Sequence, residues 1–306
     1  MTAFRLGINT CFAVKRWPRP ADWSRIVADD LGLDLVQHSL DLVDLDAGTD
    51  ALADQAAELR DACGAAGLEL ASTFTGLIAY STSLLLHPEP ALRRRAGAWY
   101  ERLIAFSALA GARRAGGHVG SLSTADHADP ARRAALWEEL SATLHELAAS
   151  ARASGLDGLL VENMACAREP ATIADVERLL TAGDARHAPV ELCLDVGHQC
   201  VPGTSGDDRD PYAWLRRLGA RAPIVHLQQS DADGDHHWPF TPARNAVGRI
   251  EASRVLEALT ASGADEVQLI LEVIPPFEQD EEEVLADLEA SVAHWREALH
   301  GLGSGA

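Results

Sequence analysis

A chain of 306 residues, 47% of them hydrophobic, has enough apolar side chain for a large core, and its length fits one α/β barrel or two smaller domains. A net charge of −20 with 26 Lys and Arg, and no basic run able to track a phosphate backbone, argues against nucleic acid and anionic membrane surfaces as partners. Five cysteines, odd in number and without a CxxC pair, support neither a disulfide framework nor a thiolate metal cluster and read as reduced, partly buried residues. The opening MTAFRLGINTCFAV lacks the pattern of a signal peptide, and nowhere do 18 uninterrupted apolar residues occur, so a soluble cytoplasmic protein is expected.

Strand-like runs follow in chain order: FRLGIN (4 to 9), LDLVQH (33 to 38), LELASTF (68 to 74), ARRAGGH (112 to 118), LDGLLVEN (156 to 163), VELCLDV (190 to 196), PIVHLQ (223 to 228) and VQLILEV (267 to 273). Amphipathic helical patterns separate them, at about 20–31, 50–66, 89–110, 130–154, 171–182, 210–219, 251–262 and 279–300, several with Pro, Asp or Thr as start signals. Gly32, Gly67, Gly111, Gly155, Gly219 and Gly263 stand at the helix-to-strand turns, where a left-handed cap favours glycine. Eight βα units without a long linker predict a single (β/α)8 TIM barrel over residues 1–300, with 301–306 as a flexible tail. A doubly wound open sheet is the competing architecture, but LGINTCF lacks the glycine-rich phosphate turn that usually follows its first strand. Arg113 and Arg114 make the fourth strand the least regular. The polar loops 202–211 and 230–248 both follow strands, on the face where a barrel builds its site.

Glu162, Asp195, His226 and Glu272 close the fifth to eighth strand candidates. A carboxylate in an apolar strand is costly to bury unless it is paired or coordinates a metal. A salt bridge would explain one such residue, whereas four at equivalent strand positions fit a ligand set. Mixed oxygen and nitrogen ligands suit Mn²⁺, Co²⁺ or Mg²⁺ better than a structural Zn²⁺. His198, in the sequence Asp195-Val-Gly-His198, is read as touching substrate, against the alternatives of a second metal ligand, a ligand-orienting partner or a helix cap. The loop from Asp231 to Phe240 offers Asp235 and His237 at metal-clip spacing and Trp238 and Phe240 as pocket walls. His118, followed by Ser121, Ser123 and Thr124, faces the same way if its strand keeps register. Lys15, Arg16 and Trp17 in the first loop could hold a phosphate or cover a sugar, and Gln228 is counted with the substrate-facing residues. Neither a GxSxG elbow nor a P-loop is present.

With these residues in view, LLVEN, LCLDVGH, IVHLQQSD and LILEV resemble the metal-site strands of the xylose isomerase-like barrel superfamily, which includes ketose 3-epimerases, inosose dehydratases, hydroxypyruvate isomerases and endonuclease IV. The resemblance implies that Glu162, Asp195, His226 and Glu272 hold Mn²⁺, with Co²⁺, Mg²⁺ or Zn²⁺ as alternatives, and that Glu162 and Glu272 are catalytic. In ketose 3-epimerases the two glutamates exchange protons with opposite faces of one carbon through an enediolate. An isomerase would return the proton to the adjacent carbon. Two departures stand out. Ser230, Asp231 and Asp233 occupy the stretch where epimerases carry an arginine, and Asp235 and His237, with His118, resemble extra ligands of endonuclease IV. LGINTCFAVKRW, TFTGLIAYSTSLLLHP and GDHHWPFT look similar to a branch assigned to tetrulose-phosphate 3-epimerisation.

The expected function is metal-dependent isomerisation or epimerisation of a sugar or sugar phosphate, with tetrulose phosphate foremost and a homo-oligomer as the usual assembly. A lyase or dehydratase acting on a keto sugar, an inositol derivative or a 3-oxo glycoside would use the same site. An endonuclease IV-like phosphodiesterase would need three metals and a basic groove, and a non-catalytic sugar-binding barrel would need no proton carriers.

Overall fold

In the computed structural model, which describes residues 2–303, eight parallel strands close into a ring in sequence order. They are β1 (Ala3–Asn9), β2 (Leu35–Ser39), β3 (Glu69–Phe74), β4 (Arg114–Gly117), β5 (Gly158–Glu162), β6 (Val190–Asp195), β7 (Ile224–Leu227) and β8 (Glu266–Leu271). The ring is closed by six register pairs between β8 and β1, from Ala3 opposite Glu266 to Ile8 opposite Leu271. All eight expected strands form, and the barrel, not the open sheet, is the architecture.

The helices are α1 (Pro20–Arg25), α2 (Thr49–Ala66), α3 (Gly76–Tyr80), α4 (Pro90–Ala110), α5 (Thr124–Ala128), α6 (Pro130–Ala153), α7 (Ile173–Leu179), α8 (Pro211–Leu218), α9 (Pro242–Asn245), α10 (Ala252–Ala261) and α11 (Glu281–Gly303). Proline opens α1, α4, α6 and α8, where its missing N–H is not needed and its fixed φ suits the first turn. Asp129 and Asp210 accept backbone N–H groups at the starts of α6 and α8. The stretch expected as one helix at 20–31 is α1 followed by a π turn over Ile26–Asp30, in which the Leu31 N–H donates to the Ile26 carbonyl. Of the six turn glycines, five have positive φ. Gly219 does not: its φ is −55°, and its value is smallness, since a Cβ there would press on Ser262 and Leu259 of the neighbouring segment. The last helix runs to Gly303 and so takes in half of the stretch read as a tail, while 304–306 lie outside the described residues.

Two apolar layers follow from burying both strand faces. The larger lies between strands and helices and contains the fully buried Trp23, Trp214 and Trp295. The inner one, Leu35, Ala71, Phe74, Leu160, Cys193, Ile224 and Ile270, fills the barrel. Strand β4 is short because only its Arg114–Gly117 core pairs, and Arg113 and Arg114 are spent at the bottom rim on Asp157 (2.8 Å) and Glu191 (2.7 Å). Its Gly116, with φ of 140°, lets the strand approach β5 where a Cβ would meet the Leu160 carbonyl. Among the described residues no helix is long and apolar enough to cross a membrane.

Candidate active site

The parallel register brings Glu162, Asp195, His226 and Glu272 level at the C-terminal rim. Glu162 ends β5 beside Cys193, Asp195 ends β6 beside His226, and Glu272 directly follows β8. All four are buried, and each offers a ligand atom within 4.8 Å of the others. His226 Nδ1 stands 3.0 Å from Glu162 Oε1 and 2.9 Å from Glu272 Oε2. Glu162 Oε2 and Asp195 Oδ2 have no hydrogen-bond partner, although buried carboxylate oxygens require one. Three carboxylates and one imidazole with two orphaned oxygens fit a divalent cation by donor chemistry and by spacing.

Local structure fixes these side chains. The Asn163 side chain donates to the Asp195 carbonyl (3.0 Å) and accepts the Asp195 N–H (2.9 Å), tying the ends of β5 and β6. Asp195 Oδ1 accepts the N–H groups of Gly197 (2.6 Å) and His198 (3.1 Å), which turns the chain and leaves Oδ2 free. Gly197 is needed for close approach, because a Cβ would collide with the Gln228 amide. Gln228 donates to Asp195 Oδ1 (3.1 Å) and Asp235 Oδ1 (2.8 Å) and accepts the His237 N–H (2.6 Å), so it links β7 to the loop behind it.

That loop completes a second group. Asp235 lies between His198 Nε2 (3.3 Å) and His237 Nε2 (3.2 Å), and the three offer ligand atoms within 4.8 Å of one another. Each ring turns its Nδ1 to a backbone carbonyl, of Asn163 for His198 (2.7 Å) and of Glu272 for His237 (3.2 Å). His237 sits at φ 48°, a left-handed backbone that a non-glycine residue adopts at a cost. His118, just past β4, has Nδ1 3.6 Å from Glu162 Oε2 and completes the wall.

Electrostatics separates the groups. Burial pushes the Glu162 carboxyl up, only partly offset by His226. Burial acts likewise on Glu272, but His226, His237 and His198 outweigh it and hold it low. Burial opposes charge on His226, yet the Cys193 sulfur, Glu272 and Glu162 keep its imidazole well above its ordinary value. Asp235 raises His237 to about 9 against the cost of burial, whereas burial lowers His118 to about 3, with Glu272 opposing it only in part and the neighbouring imidazoles adding to the fall.

A cavity of about 80 Å³ opens onto Glu162, Glu272, His118, His198, Asp235 and His237. Among the described residues no Lys or Arg lines it, so imidazoles supply its only cationic side chains. Larger depressions of about 560 and 760 Å³ flank α3 but hold none of the acid and imidazole cluster.

Several expected site residues lie elsewhere. Phe240 is packed in the core against Trp295 (centroids 5.3 Å) because its loop folds back under α11. Trp238 stacks on His236 (3.9 Å) beneath Arg244 and lines a separate surface depression. Lys15 lies over the Phe277 ring (4.2 Å), Arg16 donates to the carbonyls of Pro276 (2.6 Å) and Gln279 (3.0 Å), and Trp17 packs on Phe12 (6.0 Å). Lys15 and Arg16 fasten the first loop to the last, Trp17 packs within the first loop, and none of the three lines the cavity. Ser123 caps α5, and Ser121 bonds locally.

Other residues meet the cluster without a sequence signal strong enough to single them out. Gln37, in the middle of β2, and Asn9, at the end of β1, touch His226 (2.6 Å) and Glu272 (3.3 Å). Asp41 and Tyr80 line the cavity, and Asp41 accepts the N–H groups of Leu77 (2.9 Å) and Ile78 (2.8 Å) at the start of α3. Glu169, buried with Oε2 unpartnered, is raised to about 7 by burial.

A closed eight-stranded parallel barrel with an acid and imidazole cluster on its C-terminal rim places the protein among (β/α)8 barrels with a site of metal-ligand type. The chain belongs to the xylose isomerase-like TIM barrel family, whose model matches residues 26–296. It is 30% identical over 298 residues to the D-erythrulose 1-phosphate 3-epimerase of Brucella abortus (strain 2308), covering 96% of each chain. A xylose isomerase candidate from Rhodospirillum rubrum superposes with a TM-score of 0.88 at 33% identity, over 96% of this chain and 99% of that one. The D-psicose 3-epimerase of Clostridium cellulolyticum H10 shares the fold at a TM-score of 0.68 and 20% identity, over 96% and 99%.

Proposed function

We propose that this protein is a divalent-metal-dependent epimerase of a small ketose, foremost a tetrulose phosphate at C3, with Glu162 and Glu272 as the proton carriers. The observation that carries the reading is the buried set Glu162, Asp195, His226 and Glu272, converging within 4.8 Å with two carboxylate oxygens unpartnered. Those four residues would hold the cation, Mn²⁺ foremost. When bound, it supplies positive charge that polarises a carbonyl and stabilises negative charge growing on oxygen.

The chain's own residues supply the proton chemistry. Glu272, the carboxylate held ionised, takes the proton from the carbon beside the ketone; the C–H electron pair forms a carbon–carbon double bond, and the carbonyl oxygen accepts the charge. The enediolate is planar at that carbon, so a proton returned by Glu162 to the opposite face inverts the configuration. The reverse reaction exchanges the two roles. His198 and His237, kept charged beside Asp235, line the cavity and present positive charge to substrate hydroxyls or a phosphate, while the bonds of their ring nitrogens to Asp235 and to backbone carbonyls hold them in place. The tetrulose phosphate itself is supported by the Brucella relative, with which the chain aligns almost end to end.

The test is incubation with tetruloses, pentuloses and hexuloses and their phosphates in D2O with Mn²⁺. Deuterium at C3 together with the C3 epimer supports the reading; absence of exchange with every ketose overturns it.

A further inference from the structure

We infer that Gln37 is a positioning residue that locks the tautomer of His226, and that Asn9 sets the orientation of Gln37. The inference rests on reading His226 as a metal ligand. It starts from an unambiguous donor, the backbone N–H of Cys11, which lies 2.8 Å from the Asn9 side chain. The Asn9 atom facing it is therefore oxygen, and the Asn9 amide NH2 points the other way, to Gln37 (2.6 Å) and to Glu272 Oε1 (3.3 Å). A donor at 2.6 Å requires an acceptor, so the Gln37 atom there is its oxygen, and the Gln37 NH2 is left for Ser72 Oγ at 2.9 Å. The same Gln37 oxygen stands 2.6 Å from His226 Nε2. An acceptor that short from a ring nitrogen requires a proton on Nε2.

The consequence falls on the opposite side of the ring. With Nε2 committed as the donor, Nδ1 is the nitrogen left to give its lone pair to a cation, in place of the proton it shares with Glu162 Oε1 and Glu272 Oε2, between which it lies. Cys193 Sγ, 3.2 Å from Nε2, lies behind the ring on the protonated side. Gln37, Asn9 and Ser72 are fully buried, so water cannot replace a missing acceptor. The amide chain thus carries the orientation of one backbone N–H in the first turn to a ligand atom on the seventh strand.

The test joins a tautomer readout with Mn²⁺ affinity. Histidine labelled with ¹⁵N, in metal-free and Zn²⁺-loaded protein, is expected to show the His226 ring protonated at Nε2, with slow exchange. Gln37→Leu, which removes the acceptor, is expected to lose that signal and to weaken Mn²⁺ binding about 10- to 100-fold, the usual effect of removing such a partner. Gln37→Glu keeps an acceptor oxygen for Nε2–H and is expected to retain both the signal and near-native affinity. A bare Nε2 in the wild-type protein, or native tautomer and affinity in Gln37→Leu, overturns the inference. If Gln37→Leu fails to fold by circular dichroism, the wild-type signal and Gln37→Glu decide. Failure of the wild-type protein to bind either metal would instead defeat the epimerase reading, leaving the tautomer measurement valid by itself.

Discussion

Glu162 and Glu272 differ in surroundings more than in sequence setting. Each ends an apolar strand, yet Glu272 faces His226 and His237 whereas Glu162 is dominated by burial. Opposed environments around two carboxyls are the usual way one site carries both an acid and a base. Replacing either by Gln is expected to reduce solvent-deuterium exchange at the substrate carbon by about 100-fold or more while leaving the circular dichroism spectrum unchanged. Glu169 yields a pH-dependent expectation. Burial raises it from its ordinary 4.5 to about 7, so the folded state holds its proton more tightly than the unfolded state. Its contribution to stability is complete below about pH 4.5 and is lost as pH rises through about 7. Glu169→Gln should therefore flatten the fall in thermal stability across that window, by an amount on the order of 3 kcal/mol at most, read from melting temperatures at a series of pH values.

At the level of the elements, strand ends create the site and loops complete it. The β7 loop returns to pair Gln229 with Trp238, which sets His237 in its strained backbone and sends Phe240 into the core. Phe240→Ala is expected to lower stability by about 3 to 5 kcal/mol in denaturant unfolding, with KM little changed in the surviving folded fraction, because the ring meets Trp295 and not the cavity. A large rise in KM with native stability would restore Phe240 to the pocket. Strand β4 shows how a weak local pattern forms a strand within a closed ring. Two arginines and two glycines are poor strand residues, but the arginines find carboxylates at the bottom rim, Gly116 admits the Leu160 backbone and Gly117 admits the Thr75 and Phe74 side chains.

For the molecule as a whole, the rim gathers several buried acids in a protein already at −20, so cation binding should couple to stability. A ligand that binds only the folded state at 100 times its Kd adds about 2.7 kcal/mol. Mn²⁺ is therefore expected to raise the melting temperature by roughly 4 °C at that excess, reversed by EDTA, as measured by calorimetry. An unchanged melting temperature would count against a resident cation.

The alternation of apolar runs with 3.6-period segments determined the eight units by itself, because strands buried on both faces and helices buried on one leave distinct local signatures. The four strand-end residues were legible for the same reason: a charge closing an apolar run demands an explanation. Asn9 and Gln37 were not, since polar residues in strands without formal charge raise no comparable demand, and their partner His226 is 189 residues from Gln37 in sequence. Whether a loop aromatic faces the cavity or the core was likewise undecided, because loop direction depends on what packs against it. Only ring closure, which sets β1 beside β8 and brings Gln37 of β2 within reach of β7, decided which residues meet around His226. Local sequence encodes the period of burial, while contacts between distant segments exist only once the chain has closed on itself.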